Sequence, residues 1–255
     1  VQTVDLLVFD ARNPDNEMFH QWIAATVVSQ TDNKVTFKAK LIPTAGTARI
    51  VVVANRPLSS LGAPSWNSST HRSGIMKALT HTNTGKWVTG TSGSGHTPIP
   101  RYAEKLLTTG ITTQMAPVTT GLELTRMLAR IDIKNAATGF VVEEVYMTNF
   151  NTVGYIAPAF NETTGRLDPA GETSIPASSG KMVGADPALK FSTNLAATEN
   201  YLGEIYTYES LAAEDGTNNN ASSRKDATCL IIKGRVGSGT SYYYRVDFTQ
   251  PDGTY

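Results

Sequence analysis

A regular alternation of apolar and polar residues constrains the fold of this chain more than any other feature. From Val35 to Leu41 every second residue is apolar, and the residues between them are lysine or threonine. This period of two is typical of a β-strand that turns one face to a core and the other to water. Two further segments, Val4–Phe9 and Arg49–Ala54, are apolar on both faces over most of their length. They are predicted to be central strands.

Strand-like segments occur in two blocks, which are separated by a loop-rich break near Ala116–Leu124. In the first block, Pro43–Thr47 reads as a hairpin-like connection between the strands Lys34–Ile42 and Arg49–Ala54. The strands of the second block are Leu128–Asn135, Phe140–Thr148, Leu202–Glu209, Thr228–Val236 and Tyr242–Thr249. We therefore predict an all-β fold of two β-sandwich domains, residues 1–122 and 123–255.

A few short helices are expected in the loop-rich part of the first block. Helical patterns occur at Gly74–Leu79 and at Arg101–Thr108. In the second block, alternate residues of Tyr242–Thr249 form an aromatic face, which predicts a strand that belongs permanently to the core.

The composition excludes some classes of function. The chain has 22 Lys and Arg against 22 Asp and Glu, so its formal net charge is zero, whereas proteins that bind nucleic acids usually carry a basic excess. It also contains 34 threonines, a residue that favours strands. The longest apolar stretch is far below the roughly 20 residues that span a bilayer.

Nucleotide and metal sites are not predicted. Gly90–Thr97 resembles a phosphate-binding loop, but His96 replaces the lysine, and Pro98 and Pro100 interrupt the helix that should follow. None of the four histidines pairs at the spacing that would place two imidazoles on one helix face. We expect no cofactor and no metal.

Catalytic motifs are also missing from the sequence. Glu143 and Glu144 are adjacent in a strand, so their side chains are expected on opposite faces and not as a carboxylate pair. The single cysteine, Cys229, lies in an apolar strand, which favours a buried and inert thiol. We predict that the protein is not an enzyme. A hydrolase site assembled from scattered residues is the least favoured alternative.

Six segments, taken in order along the chain, resemble the fimbrillins of Bacteroidales, the subunits of type V pili. The segments are Val4–Asp10 (VDLLVFD), Arg49–Pro57 (RIVVVANRP), Leu124–Ile133 (LTRMLARIDI), Ile205–Glu209 (IYTYE), Leu230–Gly234 (LIIKG) and Tyr242–Phe248 (YYYRVDF). The resemblance implies two transthyretin-like Greek-key sandwiches and a structural, adhesive role at the cell surface. It further implies an outer-membrane lipoprotein precursor, removal of an N-terminal strand by an arginine-specific protease, and polymerisation by donor-strand exchange.

Other fimbrial subunits are then the expected partners, together with surface ligands of host or bacterial cells. We predict an acceptor groove on the first domain, walled by Leu6, Val8, Val51 and Val53. The donor strand is expected from beyond Tyr255 of another subunit. The sequence lacks the closing segment that the family carries after the Tyr-Tyr-Arg-Val-Asp strand, so the 1–255 chain is expected to be monomeric.

The alternative function is a carbohydrate-binding adhesin at a pilus tip. Tryptophan rings stack against sugars, and the chain has three, Trp22, Trp66 and Trp87. Trp66 lies in a predicted loop, and we assign possible glycan contacts to Trp66 and Trp87.

Overall fold

A computed structural model describes residues 1–31, 34–88, 98–113, 121–168, 175–176, 181–182, 189–195, 200–210 and 227–248. The fold is all-β, built from curled antiparallel sheets, and this confirms the predicted fold class. The chain divides into two compact units. The first contains the described residues of Val1–His81, Pro98–Met127 and Tyr155–Pro176, and the second contains those of Thr82–Thr97, Leu128–Gly154 and Ala177–Tyr255.

The two units are not continuous halves of the chain. The excursion Tyr155–Pro176 belongs to the first unit although it follows strands of the second, and Thr82–Thr97 belongs to the second. We predicted that two independently folding domains meet at residue 122, and this boundary stays a prediction. Met127 and Leu128 fall in different units.

Strands in the N-terminal half are β1 (Val4–Asp10), β2 (Met18–Gln30), β3 (Val35–Lys38), β4 (Ala48–Ala54), β5 (Thr80–Thr82), β6 (Arg101–Leu107) and β7 (Thr125–Arg126). Two 3₁₀ helices (Leu58–Leu61 and Ala63–Ser65) and the helix α1 (Arg72–Ala78) lie between β4 and β5. Six of these strands form the sheet of the first unit, in the order β3-β2-β1-β4-β6-β7. As predicted, β1 and β4 are central and almost completely buried.

Three sequence predictions in the first unit are wrong. The predicted helix Arg101–Thr108 is the strand β6, because pairing with β4 places Ala103 and Leu107 in the core and overrides the helix propensity of its residues. The predicted hairpin is absent, since β3 pairs with β2, and β4 pairs with β1 and β6. The strand expected over Lys34–Ile42 ends at Lys38.

Strands in the C-terminal half are β8 (Leu128–Lys134), β9 (Phe140–Thr148), β10 (Phe150–Asn151), β11 (Val153–Tyr155), β12 (Lys181–Met182), β13 (Leu189–Leu195), β14 (Asn200–Tyr208), β15 (Cys229–Val236) and β16 (Tyr242–Asp247). The main sheet of the second unit has the order β13-β9-β15-β16, and β14 pairs with β8. Its core contains residues from both sheets, including Val145, Ile205 and Leu230, so the two sheets pack face to face.

The prediction that the aromatic face of the last strand is core is wrong. Tyr242 is 61% exposed and Tyr244 is 42% exposed, and of the expected face only Phe248, beyond the end of β16, packs against the core cluster. Among the described strands, β16 pairs only with β15, so it lies at the edge of its sheet. The alternation of residues correctly predicts a strand, but whether another layer covers a face depends on the rest of the fold.

Candidate functional site

The four residues predicted to wall the acceptor groove do not share one surface. In the register of β1 and β4, Leu6 pairs with Val52 and Leu7 pairs with Val51. Leu6 and Val8 therefore lie on one face of the sheet, whereas Val51 and Val53 lie on the opposite face. All four side chains are buried.

The face that carries Leu6 and Val8 is the apolar face of the first sheet. Its buried residues are Val4, Leu6, Val8, Ala48, Ile50, Val52, Ala54, Ala103 and Leu107, with Ile111 packed among them. Partly buried side chains pack against it, including Phe37 of β3 and, from outside the strands of the sheet, Ala39, Leu41 and Leu122. The chain itself thus covers the predicted groove floor, and the incompletely covered part lies toward β2 and β3.

Strand β2 offers an open edge beside this face. It is 13 residues long, but β3 pairs only with Thr26–Gln30. After Lys38 the chain leaves β2, and it returns to β2 at Ile42. There the Ile42 backbone N–H donates to the Gln21 side-chain oxygen, and the Gln21 side-chain amide donates to the Ile42 carbonyl. Between these two attachments, β2 has no partner strand on this side within the described residues.

A surface groove of about 570 Å³ fills the gap between β2 and the departing chain. We call it the edge groove; its lining residues are Ile23, Ala24, Thr26, Lys38, Ala39 and Lys40. Small and apolar side chains form most of its wall, and the exposed Lys38 and Lys40 add positive charge at its margin. An open strand edge next to an apolar groove is suited to bind an extended polypeptide segment.

The opposite face of the first sheet holds a closed ring of four charges. Glu17 accepts from Arg49 at 2.8 Å and from Arg72 at 3.0 Å. Glu104 accepts from Arg49 at 2.8 Å and from Arg72 at 2.5 Å. The Arg72 and Glu17 side chains are fully buried, and the Tyr102 hydroxyl donates to Glu104 at 2.6 Å. Because each charge has two partners, the ring compensates the cost of burying ions, and it joins α1 to β4 and β6.

His81, in β5, is partly buried. Burial, and secondarily the charge of Arg56, lower the pKa of His81 to about 4. Unfolded histidine titrates near pH 6.5, so between about pH 6.5 and 4 the unfolded chain binds a proton that the folded protein does not. Stability should therefore fall as the pH decreases through this window.

We expect a loss of about 1–2 kcal/mol from this group between pH 7 and pH 5. Urea unfolding at both pH values measures it, and His81→Gln should reduce the difference. An identical pH dependence in the His81 variant and the wild type would contradict the prediction.

The two tryptophans predicted to contact glycans lie in different units. Trp66 follows the second 3₁₀ helix in the first unit, is half-buried, and touches Phe19 edge-to-face with the ring centres 6.0 Å apart. Trp87 in the second unit is only 6% exposed and packs edge-to-face on Tyr208. A sugar therefore has no exposed ring face of Trp87 on which to stack.

Contrary to the sequence prediction, Glu143 and Glu144 come together near one lysine. A β-bulge makes Glu143 an extra residue, since Lys233 pairs with Glu144 and Gly234 pairs with Val142. The Lys233 ammonium lies 3.9 Å from Glu143 and 3.8 Å from Glu144. A bulge places two consecutive side chains on one side of a strand, which single-sequence alternation does not reveal. Their basic neighbours Lys190 and Arg235 complete a network of surface ion pairs.

The remaining candidates concern the cysteine, the glycine-rich loop and metal ligands. Cys229 is buried, as predicted, and burial raises the pKa of its thiol. The Gly90–Thr97 loop lies outside the described residues. Within the described part of the chain, no three His, Cys, Asp or Glu residues cluster as metal ligands would.

The helices described here are also too short or too polar to cross a membrane.

Several solved structures are similar to this chain. The tip fimbrial protein Mfa3 of Porphyromonas gingivalis, with a C-terminal truncation, has a TM-score of 0.52 and 17% sequence identity, over 99% of this chain and 79% of that one. A Parabacteroides distasonis protein assigned to cell adhesion has a TM-score of 0.50 and 19% identity, over 100% of this chain and 82% of that one. No family model and no curated protein matches the sequence. At these identities the similarity shows a shared fold.

Proposed function

We propose that this protein is a structural and adhesive subunit of a cell-surface fimbrium. The fold that it shares with a fimbrial tip protein and with a cell-adhesion protein supports this role. The six sequence segments that resemble fimbrillins extend over both units. In this proposal the chain reaches the surface as an outer-membrane lipoprotein precursor, and its partners are other fimbrial subunits.

Assembly in this proposal occurs by strand addition at the edge groove, after an arginine-specific protease has released the subunit. The observation that carries it is the open edge of β2 beside Ile23 and Ala39. An extended donor segment from another subunit would gain ladder hydrogen bonds from β2 and bury alternate side chains in the groove. If about four side chains are buried at roughly 1.5–3 kcal/mol each, the gross apolar gain is about 6–12 kcal/mol. The sequence-predicted groove residues Leu6 and Val8 would then lie beneath the site and not in contact with the donor.

Electron microscopy of the full-length precursor before and after arginine-specific proteolysis tests this proposal. Filaments are expected only after cleavage. Ala24→Arg places a long charged side chain in the edge groove from an exposed position, so it should abolish filaments without changing the monomer's Tm. The matched control is Val28→Arg. Val28 also lies on β2, but it is outside the groove and 58% exposed, so this variant should assemble normally. If the Ala24 variant forms normal filaments, the acceptor site lies elsewhere. If the cleaved wild-type protein forms no filaments, the proposal that this chain polymerises is wrong.

Glycan binding is the second candidate function, and the incomplete burial of Trp66 favours it. Its exposed portion, next to the 3₁₀ helix Ala63–Ser65, could stack against a sugar. Isothermal titration of the monomer with surface glycans should then show binding that Trp66→Ala abolishes. Assembly and glycan binding are separable, because the Ala24 variant should bind glycans as the wild type does.

A further inference from the structure

Two arginines face each other across the last pair of strands in the first sheet. Arg101 of β6 pairs directly with Arg126 of β7, so their side chains lie on the same face. Residues directly opposite each other in an antiparallel pair have Cβ atoms about 4.5–5.5 Å apart, and like charges in that position destabilise the sheet. Burial, and secondarily the charge of Arg126, lower the pKa of Arg101.

Neither arginine has a countercharge in the described part of the chain. Among the described residues, neither guanidinium forms an ion pair or a hydrogen bond, and the buried Arg101 Nε–H finds no acceptor there. Buried N–H groups in native proteins nearly always have a partner, so an unpartnered one needs an explanation. The Nε–H groups of Arg56 and Arg72 are also buried without an acceptor among the described residues, but Arg72 binds Glu17 and Glu104 through its other two nitrogens. The exposed Arg12 binds both oxygens of Asp10.

The pair lies at the margin of the apolar face of the first sheet. On β4, Arg101 is opposite Ala54, which is fully buried in the core cluster of that face. Leu124, two residues before Arg126, packs against the same cluster. An apolar margin reduces the screening of charge by water, which strengthens both the repulsion between the arginines and their attraction for an anion.

We infer that Arg101 and Arg126 form a binding site for a single oxyanion, a sulfate or carboxylate group. Each guanidinium presents a planar set of N–H donors that matches the oxygens of such a group. One bound oxyanion would accept from the terminal N–H groups of both guanidiniums and neutralise the repulsion between the two side chains. A free inorganic anion and an acidic sugar both carry this chemistry. The inference is independent of the proposed assembly at the edge groove.

Titration of the full chain with sodium sulfate, at constant ionic strength set with sodium chloride, tests the site. The readout is the NMR signal of the Arg101 Nε–H. We expect a saturable shift, with affinity reduced roughly tenfold or more in Arg126→Gln and unchanged in the matched control Arg12→Gln. A shift that does not saturate, or an equal response in the Arg126 and Arg12 variants, would overturn the inference. Parallel titrations with a sugar sulfate and with glucuronate distinguish a free anion from an acidic sugar. If either sugar binds more tightly than inorganic sulfate, the ligand is an acidic sugar; if all bind equally, it is the free anion.

Arg126→Glu provides a test that does not need a ligand. It places a carboxylate directly opposite Arg101 and so supplies the missing countercharge within the chain. Without added anion this variant should have a higher Tm than the wild type, and it should no longer bind sulfate. Because Arg126 is exposed, the substitution should not prevent folding. A Tm below that of the wild type, or retained sulfate binding, would contradict the site.

Discussion

Replacement of Glu17 by alanine is expected to destabilise the protein by about 3–5 kcal/mol. The carboxylate is fully buried and compensates two arginines, Arg49 and Arg72, of which Arg72 is also fully buried. Without it, Glu104 alone remains to balance both guanidiniums. A buried charge that loses its partner retains its desolvation cost, so the loss should be much larger than for a surface pair.

Urea denaturation of the purified variant measures this effect. The matched control is Asp10→Ala, which removes a carboxylate that binds Arg12 at the surface, where the Arg12 side chain is 62% exposed. That substitution should cost at most about 1 kcal/mol. Equal losses in the two variants would show that the ring contributes no more than a surface pair does.

The second large effect is expected at Gly110, where an alanine should cost at least about 2 kcal/mol. Gly110 has φ +71°, and an added Cβ would lie 2.0 Å from the Gly46 carbonyl oxygen. This close approach belongs to a junction in which Thr44 donates its backbone N–H to the Ile111 carbonyl and accepts from the Ile111 N–H. Since Ile111 packs on the apolar face of the first sheet, displacement of the junction should expose part of the core.

Gly74→Ala is the matched control, because this glycine lies inside α1 and no atom would approach the added Cβ within 4 Å. That substitution should stabilise the protein by about 0.5–1 kcal/mol, since alanine favours the helix. Thermal unfolding of the two variants should therefore show Tm shifts of opposite sign. A Gly110 variant as stable as the wild type would contradict the geometry of the junction.

Both predictions concern residues that the sequence did not distinguish. Glu17 is one of 22 acidic residues, and nothing in its neighbourhood predicts that it binds Arg49 and Arg72. Gly110 is likewise one of 21 glycines, and a glycine is required at this position because of a chain segment more than 60 residues away. Partners this distant in sequence leave no local pattern.

The edge groove shows the same limit at the candidate site. Alternation over Val35–Leu41 correctly predicted a strand with one apolar face, but it could not show that pairing with β2 ends at Lys38. The predicted groove combined residues of β1 and β4 by hydrophobicity alone. Which residues share a face depends on the register between the strands, and a shift of one residue moves a side chain to the other face.

The sequence by itself determined the all-β class, the central position of β1 and β4, the burial of Cys229, and the strands β1, β3, β4, β8, β9, β14, β15 and β16. These properties follow from apolar patterns over a few consecutive residues, which set how each segment can be buried. Only the tertiary structure decided that Arg101–Leu107 is a strand, that the aromatic face of β16 is exposed, and that Arg101 faces Arg126. Those outcomes depend on pairing and coverage between segments far apart in the chain, and the energy of those contacts exceeds local preference.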